Sequence, residues 1–293
     1  AYLEPEHWYV TNPYLNKSVM ADWIARKLSE AQRGEGDSLQ KFLAKHLNVE
    51  IGNREAYDRW AGADNWAKCA DPSITFEAML RRCEVIVAGL DNGGSDDLFG
   101  FTAAGREKET GRWLFWTRAF ALKTVLEKRK SIATKLLEFE KEGTLKLCER
   151  GADILDAVCD YLKRIDAAGL FPEEDAVGVD NGHYGVIVDE LAKVNIKDPR
   201  LRGVNPQAWS MNSAIETVDW KLVDEEMAHD GSALMTWCVG NAKVETRKNM
   251  KLITKEVSGA AKIDPLISKF IAAKLLELNP VAKAKPKPSL HFI

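Results

Sequence analysis

The sequence predicts an α/β fold, a mixed sheet with helices on both faces. Two observations carry this. From Val85, three apolar runs follow one another with only polar turns between them, the pattern of an antiparallel meander. Beyond them, short apolar runs alternate with stretches of helical period, the pattern of strands joined by crossover helices. The 293 residues, 45% of them hydrophobic, suffice to cover such a sheet.

Upstream of the meander the chain reads as helical. "SVMADWIARKLSEAQRG" has a cap candidate at Ser18, apolar periodicity and a glycine stop. "DSLQKFLAKHL" repeats the pattern from Asp37, and "DPSITFEAMLRRC" is a third helix capped near Ser73 or Thr75. Trp8, Trp23, Trp60 and Trp66 fit packing better than base stacking. The strands "EVIVAGLD", "DLFGFTAAGRE" and "RWLFWTRAFAL" then form the meander. A helix through "SIATKLLEFEKEG", a short strand "TLKLCE" and a long helix "DILDAVCDYLKRIDAAG" follow. "DAVGVDNGHYG" is strand then turn, "YGVIVDELAKVN" helix, "RLRGVNP" strand, and "MNSAIETVDWKLVDEEMAHD" one long helix. "SALMTWCVGNAKVET" and "MKLITKE" give a helix and strand pieces, and "DPLISKFIAAKLLEL" a last helix with Pro265 in its first turn. The expected domains are a helical segment over 1–82, an α/β domain over 83–279, and a Pro/Lys tail over 280–293.

Composition narrows the function. No apolar run approaches the ~20 residues of a membrane span, and "AYLEPEHWYV" does not resemble a signal peptide. The lack of an initial Met suggests a piece of a longer protein. Cys69, Cys83, Cys148, Cys159 and Cys238 are odd in number and scattered without a CxxC, which argues for reduced thiols and against a zinc site. Net charge is −3, yet from Asn241 onward eleven Lys and Arg face four Asp and Glu, leaving thirty against forty elsewhere. A basic segment on an acidic protein suits a polyanion. "AKAKPKPS" reads as a solvated tail, but Lys243, Arg247, Lys248, Lys251, Lys255 and Lys262 precede it in patterned sequence.

The stretch "VIVAGLDNGGSDD" can be read as a hairpin turn or as a site, since Asn-Gly between apolar runs is a strong turn signal. An echo favours the site: "AGLDNGG" and "VGVDNGH" both end a buried strand in Gly-x-Asp-Asn-Gly. Asp91 and Asp180 can therefore sit side by side at one sheet edge, with Asp264 opening the last helix. Carboxylate oxygens are what Mg2+ or Mn2+ takes, and a pair of such ions about 3.5–4 Å apart can clamp both oxygens of a phosphodiester displacement. Turn formation by Asp91 and Asp180, and helix capping by Asp264, remain the alternatives.

These residues resemble the large subunit of the tailed-bacteriophage DNA-packaging terminase, in its C-terminal nuclease domain. The stretches that carry the likeness are "GLDNGGSDDLFGFTAAGRE", "VGVDNGHYG", "MAHDGSALMTWCVGNAKV" and "KIDPLISKFIAAKLL", with "TNPYLNKSVMADWI" similar to the connector after the ATPase domain. The resemblance implies a ribonuclease H-like fold and a two-metal endonuclease cutting concatemeric double-stranded DNA. It implies Asp91, Asp180 and Asp264 as metal ligands, Asp97 as an auxiliary, and Lys262, Lys255 and Asn241 at the DNA-facing end. It also implies a small terminase subunit and a portal as partners, in the cytoplasm of an infected bacterium. The sequence departs from the full family protein in two ways. It has no GxxxxGK[ST] loop, and a long helical insertion runs from about Leu122 to Ala168. A DNA-gripping module with a weak site is the competing function. A resolvase or integrase of the same fold would explain the aspartates but not the Asn-Pro connector.

Overall fold

The structure, a computed structural model, describes residues 3–33, 39–48, 59–94, 96–247, 250–255 and 262–283. They form two compact units, Ala1–Arg59 and Trp60–Ile293. In the first, a 3-10 turn at Pro5–Val10, α1 (Ala21–Gln32) and α2 (Leu39–Leu47) gather Trp8, Ile24, Leu28, Phe42 and Leu47 into a small core. Ser18 does not cap α1. Met20 holds the cap position without a side-chain bond, and the Ala21 N–H instead donates to Asn16 Oδ1 at 3.0 Å. Asn16 reaches that place by adopting φ 62°, a left-handed conformation asparagine tolerates.

The second unit opens with α3 (Ala63–Trp66) and α4 (Phe76–Arg82). Thr75 caps α4, its Oγ1 accepting from the Ala78 N–H at 3.1 Å. The expected meander follows as β1 (Cys83–Asn92), β2 (Phe99–Glu107) and β3 (Trp113–Leu122). Then come α5 (Val125–Lys128), α6 (Ala133–Lys141), β4 (Leu145–Cys148) and α7 (Gly151–Ala167). The stretch from Leu122 to Ala168 is thus not simply helical: β4 joins the sheet alongside β3. Next are β5 (Val177–Asp180), α8 (Tyr184–Lys193), β6 (Leu201–Val204) and α9 (Met211–Val223). The single helix expected over "MNSAIETVDWKLVDEEMAHD" ends at Val223. Glu225 turns the chain at φ 54°, and Met227–His229 becomes an edge strand, β7, pairing with β3. The chain closes with α10 (Ala233–Gly240), the hairpin β8 (Ala242–Arg247) and β9 (Met250–Lys255), and α11 (Asp264–Leu276). No described helix is long and apolar enough to cross a membrane.

The sheet order is β4-β3-β2-β1-β5-β6, with β7 beside β3. Alternate residues of β1 face opposite ways: Val85 and Val87 pack with α11, while Ile86, Ala88 and Leu90 pack with α7 and α8. The mixed α/β sheet flanked by helices is as expected. α11 is buried nearly throughout, from Pro265 to Leu276. It lies so close to the sheet that glycine is required beneath it. A Cβ at Gly89 would stand 2.1 Å from the Ser268 carbonyl oxygen, and one at Gly100 would stand 2.7 Å from both the Asp264 carbonyl oxygen and Pro265 Cα.

Candidate metal centre

The strand register builds the site. β1 and β5 are parallel, with Leu90 beside Val179, so the next residues are Asp91 and Asp180. Asp91 also pairs with Gly100 across β2. Because Gly100 has no side chain, the start of α11 rests there and brings Asp264 in beside Asp91. Asp264 is not a cap: Ile263 holds that position and Asp264 is the first helical residue. Asp97 enters from the loop that folds back on Gly93, whose own Cβ would meet Asp97 Cβ at 2.6 Å and Asp264 Oδ1 at 2.8 Å. The four aspartates line one cleft of about 740 Å³. Its other walls include Asn181, Asn205, Gln207, Thr254 and Lys255.

Both echoes do form turns, and the turn-forming side chain differs between them. In the first, the Gly94 N–H donates to Asn92 Oδ1 at 3.0 Å, leaving Asp91 in the strand and facing the cleft. In the second, the Gly182 N–H donates to Asp180 Oδ1 at 3.0 Å, so Asp180 both shapes a turn and lines the cleft.

Charge is crowded here. Burial pushes the Asp91 carboxyl well above the usual carboxylate range, and the charges of Asp264, Asp180 and Asp97 push it further. Asp264 is raised to about 8 by burial and by Asp97. Burial opposes ionisation of Asp97 too, but its hydrogen bonding with Asp264 and Lys262 outweighs that and holds it below the usual range. Lys262 Nζ lies 2.6 Å from Asp97 Oδ1, and Lys255 Nζ 3.6 Å from Asp97 Oδ2. Asp264 Oδ2 is buried with no hydrogen-bond partner. An all-oxygen donor set, mutual repulsion and an orphaned carboxylate oxygen fit a hard divalent cation. Among the described residues, the trio whose ligand atoms all lie within 4.8 Å of one another is Glu4, Glu6 and His7, exposed in the first unit. The four cleft aspartates are spread more widely.

The family profile described as "Terminase large subunit, endonuclease domain" matches residues 2–276. The chain belongs to that family. Protein YmfN of Escherichia coli (strain K12) is 21% identical over 286 residues, covering 92% of this chain and 59% of that protein. The crystal structure of the HK97 bacteriophage large terminase superposes with a TM-score of 0.58 at 20% identity, covering 94% of this chain and 54% of that one. The chain spans between half and three-fifths of the length of these two relatives. The likeness to the HK97 protein shows a shared fold.

Within this terminase endonuclease domain the basic residues divide. Lys255 is half-exposed at the cleft, Lys251 is exposed on β9 and Lys243 is partly buried on β8. Arg247 ends β8, its side chain outside the described residues, as is Lys248 altogether. Lys262 is not on a DNA-facing surface: it is 1% exposed and serves as the buried counter-ion of Asp97. Asn241 holds that segment from behind, its Nδ2 donating to the Lys262 carbonyl at 3.1 Å. His229 of "MAHDG" is buried and stacked on Trp66 at 3.7 Å, and is not among the cleft residues. Sequence reasoning missed the loop Asn205–Gln207 and the contact of Arg129 with Asp96. The Asn-Pro turn closing "RLRGVNP" was the available signal for the first.

Proposed function

We propose that this domain is a divalent-metal-dependent endodeoxyribonuclease that cuts concatemeric double-stranded DNA during genome packaging. The observation that carries the reading is the convergence of Asp91, Asp97, Asp180 and Asp264 on one cleft, with Asp264 Oδ2 buried and unpartnered. Asp91, Asp180 and Asp264 are the proposed ligands of two Mg2+ or Mn2+ ions, with Asp97 as an auxiliary. Bound there, such ions would polarise the phosphodiester and make a nucleophile of water. The protein holds these carboxylates on two strand ends and a helix start, rigid elements that keep their geometry. Lys255 lies at the cleft wall beside Asp97 and is the proposed contact to a phosphate of the strand being cut. Lys243, Arg247, Lys248 and Lys251 are proposed as further phosphate contacts. Such contacts position DNA without reading its sequence, so choice of site would fall to a small terminase subunit. A portal is the other proposed partner, in the cytoplasm of the infected host.

The test is cleavage of supercoiled plasmid with Mn2+ and without ATP. Wild-type protein should cut with little sequence preference. Asp91→Asn, Asp180→Asn and Asp264→Asn should each lose about 100-fold or more while keeping their circular dichroism and their DNA binding. Asp97→Asn should be milder. DNA binding by wild-type protein with no cutting would leave the chain as a DNA-gripping module instead.

A further inference from the structure

The notable feature outside the cleft is the segment Lys123–Lys135. It carries Lys123, Lys128, Arg129, Lys130 and Lys135 against the single acid Glu127, in a chain whose net charge is −3. Its position follows from the sheet. β3 ends at Leu122 on the same edge where β1 ends beside Asp91, because β2 runs antiparallel between them. Two strand spacings separate β3 from β1, roughly 10 Å. A DNA strand advances about 3.4 Å per nucleotide, so that distance is a few nucleotides along a duplex.

The segment is fastened as well as near. Arg129 Nη2 lies 3.2 Å from Asp96 Oδ2, and its Nε donates to the Asp96 carbonyl at 3.4 Å. The next residue, Asp97, lines the cleft. Beneath, Val125, Ile132 and Leu136 are buried in the main core. The apolar residues and Arg129 thus fix the segment to the site loop, and Lys128 and Lys130, flanking Arg129, stand exposed. Like charges so close repel unless an anion lies among them.

We infer that this segment is a second phosphate-binding border of the site: Lys128 and Lys130 contact the DNA backbone a few nucleotides from the bond being cut, and Arg129 positions the Asp96–Asp97 loop. The inference rests on the nuclease reading and assigns a role to a segment that reading leaves idle.

The test uses the full chain and a fluorescent duplex of about 30 base pairs, with binding followed by anisotropy over a range of salt. Replacing two phosphate contacts should lower the salt slope by about two. Lys128→Glu with Lys130→Glu should weaken binding about tenfold or more and raise KM for plasmid cutting, with kcat within about twofold. Lys128→Arg with Lys130→Arg should bind as wild type. Lys163→Glu with Lys197→Glu, the same charge change at exposed positions on α7 and after α8, should do so too. If wild type binds and cuts while the Lys128/Lys130 variant keeps its affinity and slope, the border is wrong and the nuclease reading stands. If the control pair weakens binding equally, net charge is responsible and the border is again wrong. If wild type neither binds nor cuts, both fall.

Discussion

Lys262 Nζ sits 2.6 Å from Asp97 Oδ1, and the lysine side chain is almost wholly buried. An ammonium buried behind a cleft of carboxylates supplies one positive charge where the proposed cations would supply more. Lys262→Met removes it and leaves Asp97 buried without its main counter-ion. Breaking a buried pair costs about 3–5 kcal/mol, an upper bound here because Asp97 can take up a proton. The melting temperature should fall, and Mn2+ should restore more of it than the same Mn2+ adds to wild type. An unchanged melting curve would show that Lys262 does not neutralise the cleft.

Metal binding should release protons. Asp264 is raised to about 8, so it holds a proton at neutral pH when no cation is bound, and burial with the neighbouring carboxylates shifts Asp91 in the same direction. Their folded values exceed the unfolded ones. Their contribution to stability is therefore present at low pH and is lost as pH rises toward about 8. A cation must displace those protons, so Mn2+ affinity should rise with pH toward 8. Calorimetric titration in two buffers of different ionisation enthalpy counts the protons released, and a count of zero would contradict the shifts.

His229 should govern the acid side. Its Nδ1 accepts from the Gly231 N–H at 3.1 Å and its Nε2 lies 2.8 Å from the Trp66 carbonyl oxygen, so the neutral ring with its proton on Nε2 satisfies both partners. Burial, with nearby Lys269, lowers its pKa to about 3. The folded value lies below the unfolded one, so the contribution is complete above about 6.5 and is lost as pH falls from there toward 3. At pH 5 the loss is about 2 kcal/mol. Urea midpoints at pH 7 and pH 5 should differ accordingly in wild type and by much less in His229→Gln.

Gly100 should tolerate no side chain. Its Cβ would meet the backbone of Asp264 and Pro265 at 2.7 Å, where no side chain can move aside. Gly100→Ala should cost about 1–3 kcal/mol and should lift Asp264 away from Asp91. Mn2+ should then raise the melting temperature less than in wild type, while Gly111→Ala, with open space around its Cβ but φ 72°, should leave the Mn2+ effect intact.

Much of this protein was legible in the sequence because its signals are local. The meander showed in three apolar runs, and Asp91 and Asp180 in a repeated strand end. Thr75 showed in its place before α4. The signals that failed were those where a partner distant in sequence decides. Met227–His229 continues a helical pattern, yet it becomes a strand because β3 offers an open edge. Lys262 reads as one more cation in a basic segment, yet Asp97, far away in the chain, draws it into the interior.

The sequence by itself determined the fold class and the family likeness, and it singled out the four aspartates that the fold gathers in one cleft. Hydrophobic period and turn chemistry act over a few residues and can be read in order along a chain. Only the tertiary structure decided that Asp97 faces the cleft while Asp96 turns to Arg129, that Asp264 opens α11 instead of capping it, and that Arg129 ties the segment after β3 to the loop carrying Asp96. Each of those depends on which strands neighbour one another and on how closely a helix can approach glycine, and both are settled by packing across the sheet.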